Sequence, residues 1–176
     1  IVLVLLIIAL AEPNRISLAV GGAFIVLGQL IRLWATGHLR RDKEVTTSGP
    51  YAYVRDPLYL GRLLLLIGFC VAAWGNSLFV LIPGLGLFFL DYMPRKHRKE
   101  MARLENLFGE SYRQYAAVTR SLLPRVTRYA QAQNRGWSFD LMWNENREQY
   151  FLLGVILITL AIVLNLNALV FKLFGS

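Results

Sequence analysis

A short stretch in the first half of the chain crowds turn residues and charges in front of a long apolar run. It reads GPYAYVRDPLYLGR and covers residues 49–62. A residue before proline is held away from the helical region, while proline suits the first helical turn. The pair Asp56-Pro57 therefore predicts a helix that begins here with Asp56 as its cap. Such a helix start offers free N–H groups and the positive end of a dipole to a polar ligand.

Gly61 and Arg62 lie one turn inside that predicted helix. A charged side chain at this depth in a membrane span normally faces a cavity or a partner, which makes Arg62 a site candidate. Tyrosines acting as interfacial anchors would explain Tyr53. They leave Tyr51, Tyr59 and Arg62 unexplained in the same window, so the stretch predicts a ligand site at the mouth of a helix.

A second candidate segment, residues 95–119, combines basic residues with one apolar face. The apolar residues recur at the three- and four-residue spacing of a helix; they are Met101, Leu104, Phe108, Tyr112 and Tyr115. A helix lying on an anionic membrane surface is the simplest interpretation. Gly109 argues against a single unbroken helix, because glycine inside a helix costs about 1 kcal/mol against alanine. It predicts either a joint between two helices or a close approach of a ligand or backbone.

The composition places both segments in a membrane protein. The chain has 176 residues, of which 56% are hydrophobic and 17% charged, with a mean hydropathy of +0.46, whereas an average soluble domain has about 25% charged residues. A formal net charge of +8 in so apolar a chain indicates basic cytoplasmic loops rather than nucleic-acid binding. His38 and His97 are far apart in the sequence and lack partner cysteines, so no metal site is expected. A single cysteine, Cys70, excludes a disulfide within the chain.

Five apolar runs set the organisation, since a membrane-crossing helix needs about 20 mostly apolar residues. They cover residues 1–11, 16–35, 58–74, 78–93 and 150–171. The first is interpreted as the tail of a span whose start is missing, with a signal-peptide core as the alternative. Residues 75–77 predict a tight turn, which makes the third and fourth runs a helical hairpin.

The basic residues orient these runs. Most of the lysines and arginines lie in residues 37–57 and 94–149, whereas residues 12–15 and 75–77 together hold one arginine. The positive-inside rule therefore predicts an integral membrane protein with both long segments in the cytoplasm. Arg32, near the cytoplasmic end of its run, is interpreted as snorkelling to the surface.

The two candidate segments together resemble the isoprenylcysteine carboxyl methyltransferases and their phospholipid methyltransferase relatives. That family carries Gly-Pro-Tyr-x-x-Val-Arg-His-Pro-x-Tyr-x-Gly at the start of a span. The matching residues here are Gly49, Pro50, Tyr51, Val54, Arg55, Pro57, Tyr59 and Gly61. After a helical hairpin the family has Glu-Glu-x-x-Leu-x-x-x-Phe-Gly-x-x-Tyr-x-x-Tyr, then Val-x-Arg and a proline. The matching residues are Glu100, Leu104, Phe108, Gly109, Tyr112, Tyr115, Val118, Arg120 and Pro124.

Order and spacing match over about residues 16–124, with two departures. Asp56 stands where the family has histidine, and Met101 where it has a second glutamate. A histidine can donate a hydrogen bond to a ligand, whereas an ionised aspartate only accepts. The resemblance divides the chain into a methyltransferase-like core (1–124), a cytoplasmic connector (125–149) and a C-terminal transmembrane helix (150–176). The connector, which contains Trp137, Phe139 and Trp143, is either an interfacial segment or a substrate lid.

The resemblance implies an all-α, polytopic membrane helix bundle of about five spans, with a cytoplasmic amphipathic segment capping a cofactor pocket. S-adenosylmethionine would bind there, and a lipophilic acceptor would enter from the bilayer for in-line methyl transfer. The residues implied in cofactor binding are Tyr51, Val54, Arg55, Asp56, Pro57, Tyr59, Gly61, Glu100, Tyr112 and Tyr115. The catalytic candidates are Arg62, Glu100 and Asp56. Arg32 and Arg120 would clamp an anionic acceptor, since arginine suits carboxylate or phosphate.

The identity of the acceptor stays open. A carboxylate acceptor needs no general base, whereas an amine must lose its proton, with help from Asp56 or Glu100. The implied partners are a lipophilic or lipid-modified acceptor and membrane lipids, with no nucleic acid. Two alternatives remain: a membrane-embedded, NADPH-dependent reductase of the sterol type, and a relative that has lost catalysis, for which Asp56 would be the sign.

Overall fold

The computed structural model describes residues 2–164, and all of the regular secondary structure in this range is helical. The elements in order are α1 (Val2–Ala9), α2 (Arg15–Thr36), a 3₁₀ turn (Gly49–Ala52), α3 (Pro57–Ala73), α4 (Ser77–Gly86), a π-helical segment (Leu87–Tyr92), α5 (Met93–Phe108), α6 (Glu110–Val118), a second π-helical segment (Leu141–Glu145) and α7 (Glu148–Val163). The predicted all-α class is therefore confirmed over these residues. The end of the predicted last span, residues 165–171, lies outside the described part of the chain.

Two helical stretches are long and apolar enough to cross a membrane. They are Arg15–Thr36, with 22 residues, and Ser77–Phe108, with 32. The apolar helices α3 and α7 are shorter, with 17 and 16 residues, and α1 has eight. Two candidate spans are thus present in the described residues, while the five spans and the cytoplasmic orientation of the loops stay predictions.

The hairpin's second helix does not end where the sequence predicts. Instead of stopping at residue 93, it runs on through the π-helical segment into α5. Pro83 lies inside α4 and has no N–H to donate to the preceding turn. The N–H of Leu87 is shared between the carbonyls of Pro83 and Gly84, and the helix continues from there into the wider π-helical segment Leu87–Tyr92. The basic segment is therefore the second half of one long helix.

Gly109 is the joint that the sequence predicts. Its φ of +53° ends α5, and α6 begins at the next residue. A Cβ at this position would meet no atom within 4 Å. Glycine is therefore required here for its backbone conformation, and the alternative of a close approach is not what this position shows.

The chain divides into two compact units. The described parts of Ile1–Gln29, Arg62–Phe89 and Tyr150–Ser176 form the first unit. In it, the turn between α1 and α2 is bonded to the end of α3, with the N–H of Glu12 2.7 Å from the carbonyl of Ala73. Ser17 donates to the carbonyl of Ala72 at 3.2 Å, and Gly21 packs so tightly on Ala72 that a Cβ there would overlap its backbone. Close helix packing through small residues is typical of membrane helices.

Leu30–Gly61 and Leu90–Gln149 form the second unit. A buried ion pair joins its two segments: Nε and Nη2 of Arg32 each lie 2.8 Å from one carboxylate oxygen of Glu148. The side chains are 4% and 3% exposed. The snorkelling interpretation of Arg32 is therefore wrong, because its guanidinium is held inside the protein by a carboxylate 116 residues later. A role for Arg32 in clamping an acceptor would require this pair to open.

This ion pair predicts a large difference between two neighbouring glutamates. Glu148→Ala leaves the Arg32 guanidinium buried without its carboxylate, which typically costs about 3–5 kcal/mol. Glu145→Ala removes the exposed pair with Lys43, whose side chains are 37% and 63% exposed, and should cost about 0–1 kcal/mol. Chemical unfolding of both variants in detergent measures the difference. Equal losses of stability would contradict a structural role for the Arg32–Glu148 pair.

Candidate functional site

The two motif segments meet along their backbones. Residues 52–56, which lead into α3, run beside the chain that follows α6, and four N–H groups are bonded across. These bonds are Arg55 to Arg120 (2.9 Å), Asp56 to Ser121 (3.0 Å), Arg125 to Tyr53 (2.7 Å) and Tyr129 to Ala52 (2.9 Å), each from N–H to carbonyl. Hydrogen-bonded backbone of this kind positions its side chains firmly, because a lost partner would leave buried polar groups unsatisfied.

Gly49, the first residue of the first motif segment, has a left-handed backbone conformation. Its φ is +57°, and a Cβ on it would overlap the imidazole ring of His38. Both the turn and the close packing require glycine. His38 is buried and its Nδ1 lies 3.1 Å from Ser48 Oγ, so this side chain fixes the start of the motif.

Tyr59 links the first turn of α3 to α5. Its hydroxyl donates to Glu100 Oε2 at 2.8 Å, and its ring meets Tyr92 edge to face at 5.7 Å. Tyr59 is buried while Glu100 remains exposed. One carboxylate oxygen of Glu100 is thus oriented by the phenol, and the residue stays accessible to a ligand.

Asp56 lies directly before α3, as predicted, and its carbonyl accepts the N–H of Leu60 at 3.2 Å. Its carboxylate accepts a hydrogen bond from Ser121 Oγ and lies 3.5 Å from Arg55 Nε and 4.0 Å from His97 Nδ1. The carboxylate is therefore surrounded by donors from three parts of the chain. This arrangement explains how an acceptor-only residue is accommodated where the family has histidine.

Buried tyrosines complete the cluster. The hydroxyl of Tyr115 donates to the carbonyl of Tyr51 at 2.7 Å, and its ring packs against Tyr129 at 5.4 Å. Tyr112 is 4% exposed. These contacts place the predicted apolar face of α6 against the Gly49–Ala52 turn.

Burial keeps these phenols protonated. Desolvation is the main cause that raises the pKa of Tyr51, Tyr112 and Tyr115 above the ordinary value of 10.0, and the negative charge of Asp56 adds to it for all three. The same carboxylate thus contributes to the raised pKa of all three hydroxyl groups. At neutral pH the tyrosines are hydrogen-bond donors rather than bases.

Seven of the predicted cofactor residues are thus brought together in the second unit. They are Tyr51, Arg55, Asp56, Tyr59, Glu100, Tyr112 and Tyr115. Val54, Pro57 and Gly61 are buried beside them in sequence. Their roles in binding stay predictions, as does the cofactor pocket itself.

The predicted arginines have different surroundings. Arg120 is exposed, and its carbonyl accepts the N–H of Arg55. Arg62 is part of the first unit, where its guanidinium lies 6.0 Å from the ring of Phe151, close enough for a weak cation–π contact. Their assignments to catalysis and acceptor binding stay predictions.

Sequence reasoning missed two residues of this cluster. His97 Nε2 lies 3.3 Å from Arg55 Nη2, and Ser121 binds Asp56. His97 precedes Glu100 by three residues, a spacing that places both on one face of α5. That spacing was the available signal for His97. Ser121 lies beyond the helix, and only the fold brings it to Asp56.

Three buried polar atoms in or next to the motif segments are among those that lack a hydrogen-bond partner within the described residues. They are the Tyr51 hydroxyl, Thr119 Oγ1 and Arg125 Nη1. Buried polar groups in proteins are nearly always satisfied by protein, water or ligand. Tyr51 belongs to the cluster, and Thr119 and Arg125 flank the strand-like backbone bonded to it. The hydrogen-bonding capacity of these three atoms is left for water or a ligand.

The tyrosine cluster predicts an unusual alkaline titration. A raised pKa in the folded state stabilises the protein below the ordinary phenol pKa, and this contribution is lost as pH rises above 10. In spectrophotometric titration the folded protein should therefore ionise fewer phenols near pH 10 than the denatured chain. Tyr115→Phe should remove one phenol from the denatured curve and leave the native curve near pH 10 unchanged. A native curve that loses one phenol would contradict the burial of Tyr115.

Comparison with known proteins yields two distant relatives. The chain is 33% identical over 118 residues to the cobalt-zinc-cadmium resistance protein CzcN of Cupriavidus metallidurans, which is 66% of this chain and 53% of that protein. It is 30% identical over 104 residues to protein-S-isoprenylcysteine O-methyltransferase of Schizosaccharomyces pombe, which is 59% of this chain and 43% of that protein. The chain therefore spans about half the length of the curated relatives it matches. No protein-family model and no solved structure matches it.

Proposed function

We propose that this chain is an S-adenosylmethionine-dependent membrane methyltransferase that acts on a lipophilic acceptor. The observation that carries the proposal is the junction of the two motif segments, in which Tyr59 at the start of α3 donates to Glu100 of α5. Residues that are 41 positions apart and match one family's motifs meet at a single site. The similarity to a protein-S-isoprenylcysteine O-methyltransferase supports the same reaction class.

The charges of the cluster suit this cofactor. Asp56 and Glu100 contribute two negative charges, and Arg55, 3.5 Å from Asp56, contributes one positive charge. S-adenosylmethionine, with a sulfonium, an ammonium and a carboxylate, carries one net positive charge at neutral pH. The two carboxylates favour the cationic groups of such a ligand, because opposite charges at short range stabilise each other.

The chain's own residues would bind and orient the cofactor. When bound, S-adenosylmethionine supplies a methyl group on a positively charged sulfur. Glu100, accessible and held by Tyr59, would accept from hydroxyl or amino groups. The Tyr51 hydroxyl and Thr119 Oγ1, buried without partners among the described residues, would bond to the ligand's polar atoms. Water would be excluded by the packed tyrosines, which favours a transfer in which opposite charges neutralise each other.

The proposal includes a lipophilic molecule as the acceptor of the methyl group. It would be a carboxylate of the isoprenylcysteine type or a phospholipid amine. Two helices long enough to cross a membrane support access from a bilayer. Among residues 2–164 no group of three histidine, cysteine, aspartate or glutamate side chains could hold a metal ion.

Cofactor binding should depend on Glu100 and not on a glutamate of α6. Loss of a charged hydrogen-bond acceptor costs about 1.5–3 kcal/mol, so Glu100→Gln should weaken binding of S-adenosylhomocysteine about ten- to a hundredfold. Glu110→Gln should change the affinity for S-adenosylhomocysteine by no more than about twofold, because the Glu110 side chain is 68% exposed and lies outside the cluster. Isothermal titration calorimetry in detergent measures both. Unchanged affinity in Glu100→Gln would remove Glu100 from the site, and tight binding of NADPH instead would favour a reductase.

The acceptor class can be identified without a candidate molecule. The purified protein is incubated with methyl-labelled S-adenosylmethionine and total membrane lipid extract, and labelled products are separated by mass. We expect the label in an organic-soluble product that carries a methyl ester or an N-methyl group. Label confined to water-soluble products would contradict a lipophilic acceptor.

A further inference from the structure

A cavity lies in the unit formed by Leu30–Gly61 and Leu90–Gln149. Its volume is about 310 Å³, and none of the residues that line it is assigned above to the cofactor. The lining includes Trp34, His38, Tyr53, Arg128, Gln133 and Arg135. Three of these six belong to the connector, residues 125–149, which lies outside the motif. This cavity therefore needs an explanation of its own.

The cavity carries excess positive charge. Arg128 is exposed, and its Nη2 donates to the carbonyl of Gln133 at 3.1 Å and to Asn134 Oδ1 at 2.8 Å. Both acceptors are neutral, so these bonds orient the guanidinium without balancing its charge. Arg135, in contrast, is paired with Glu44. One oriented and uncompensated guanidinium is suited to bind a phosphate or carboxylate.

His38 adds polarity to the cavity without adding charge. Burial, and secondly the positive charge of Arg135, lowers the pKa of His38 below its usual 6.5. The imidazole is therefore neutral at pH 7, with Nδ1 close to Ser48 Oγ at 3.1 Å. Together with the amides of Gln133 and Asn134 it offers hydrogen bonds to a polar headgroup.

Exposed aromatic side chains lie in and near this cavity. Trp34 lies in the last turn of α2, a helix long enough to cross a bilayer, and is 45% exposed. The indole of Trp137 donates to the carbonyl of Leu33 at 2.9 Å, next to Trp34. Phe139 stacks on Trp143 and meets Trp137 edge to face. Each of the three side chains is at least 40% exposed. Exposed tryptophans at the end of a span are typical of the lipid–water interface.

We propose that this cavity binds the phosphate of an anionic lipid headgroup, with Arg128 as the principal cation and the exposed aromatic residues resting in the interface around it. The proposal does not depend on methyl transfer, because neither its residues nor its ligand is taken from the cofactor cluster. It assigns to the connector a role as an interfacial lipid-binding segment.

Calorimetric titration with short-chain lipids tests the proposal. Detergent-solubilised full chain is titrated with dihexanoyl phosphatidic acid, with dihexanoyl phosphatidylcholine and with inorganic phosphate. We expect the phosphatidic acid to bind about tenfold or more tightly than either of the others, because it combines a charged phosphate with acyl chains. Arg128→Gln should weaken its binding about tenfold. Arg98→Gln is the matched control, since Arg98 is also exposed and donates to a neutral carbonyl, that of Pro94, and should leave it unchanged.

Three other outcomes would each overturn the proposal. Inorganic phosphate that binds as tightly as the lipid would show an anion site without lipid recognition. Equal losses in Arg128→Gln and Arg98→Gln would show a general effect of surface charge. Displacement of phosphatidic acid by S-adenosylhomocysteine would assign the cavity to the cofactor, whereas failure of S-adenosylhomocysteine to bind anywhere would count against the methyltransferase only.

Discussion

The candidate site depends on the hydrogen-bonded junction between the backbone that leads into α3 and the backbone that follows α6. Four N–H to carbonyl bonds join these segments, and the Tyr115 hydroxyl adds a fifth bond to the carbonyl of Tyr51. The junction adds to the Tyr59–Glu100 hydrogen bond and to the contact of Tyr59 with Tyr92. With it, side chains from positions 51–59 and 97–121 converge on one carboxylate, Asp56. A polar cluster that is bonded through the main chain has little freedom to rearrange.

The groups that converge on Asp56 explain how an aspartate is accommodated at the position of the motif histidine. An aspartate brings a full negative charge to a partly buried position and needs donors around it. Ser121 and Arg55 supply them, and His97 lies 4.0 Å away on the opposite helix. A histidine is therefore present in the cluster after all, although it comes from α5 rather than from the motif. The cluster therefore contains both an aspartate and a histidine.

Much of this organisation can be predicted from the sequence, and the limits have physical causes. Asp56-Pro57 and Gly109 act through local backbone preferences. As expected, α3 begins directly after Asp56 and α6 begins directly after Gly109. The continuity of Ser77–Phe108 was missed. The change from apolar to basic residues predicts the end of the membrane-spanning part, but it does not end the helical backbone. Arg32 was misjudged because its partner, Glu148, is distant in the sequence. Ser121 and the arginine-lined cavity likewise depend on contacts between segments that no local pattern encodes.

The central claim is that one small molecule, S-adenosylmethionine, contacts both motif segments at once. Photo-cross-linking with 8-azido-S-adenosylmethionine, followed by peptide mass spectrometry, tests it most directly. The account predicts adducts in peptides that contain residues 51–59 and 100–119, both suppressed by excess S-adenosylhomocysteine. Adducts confined to the connector around Arg128 and Arg135, or adducts that S-adenosylhomocysteine does not suppress, would contradict it.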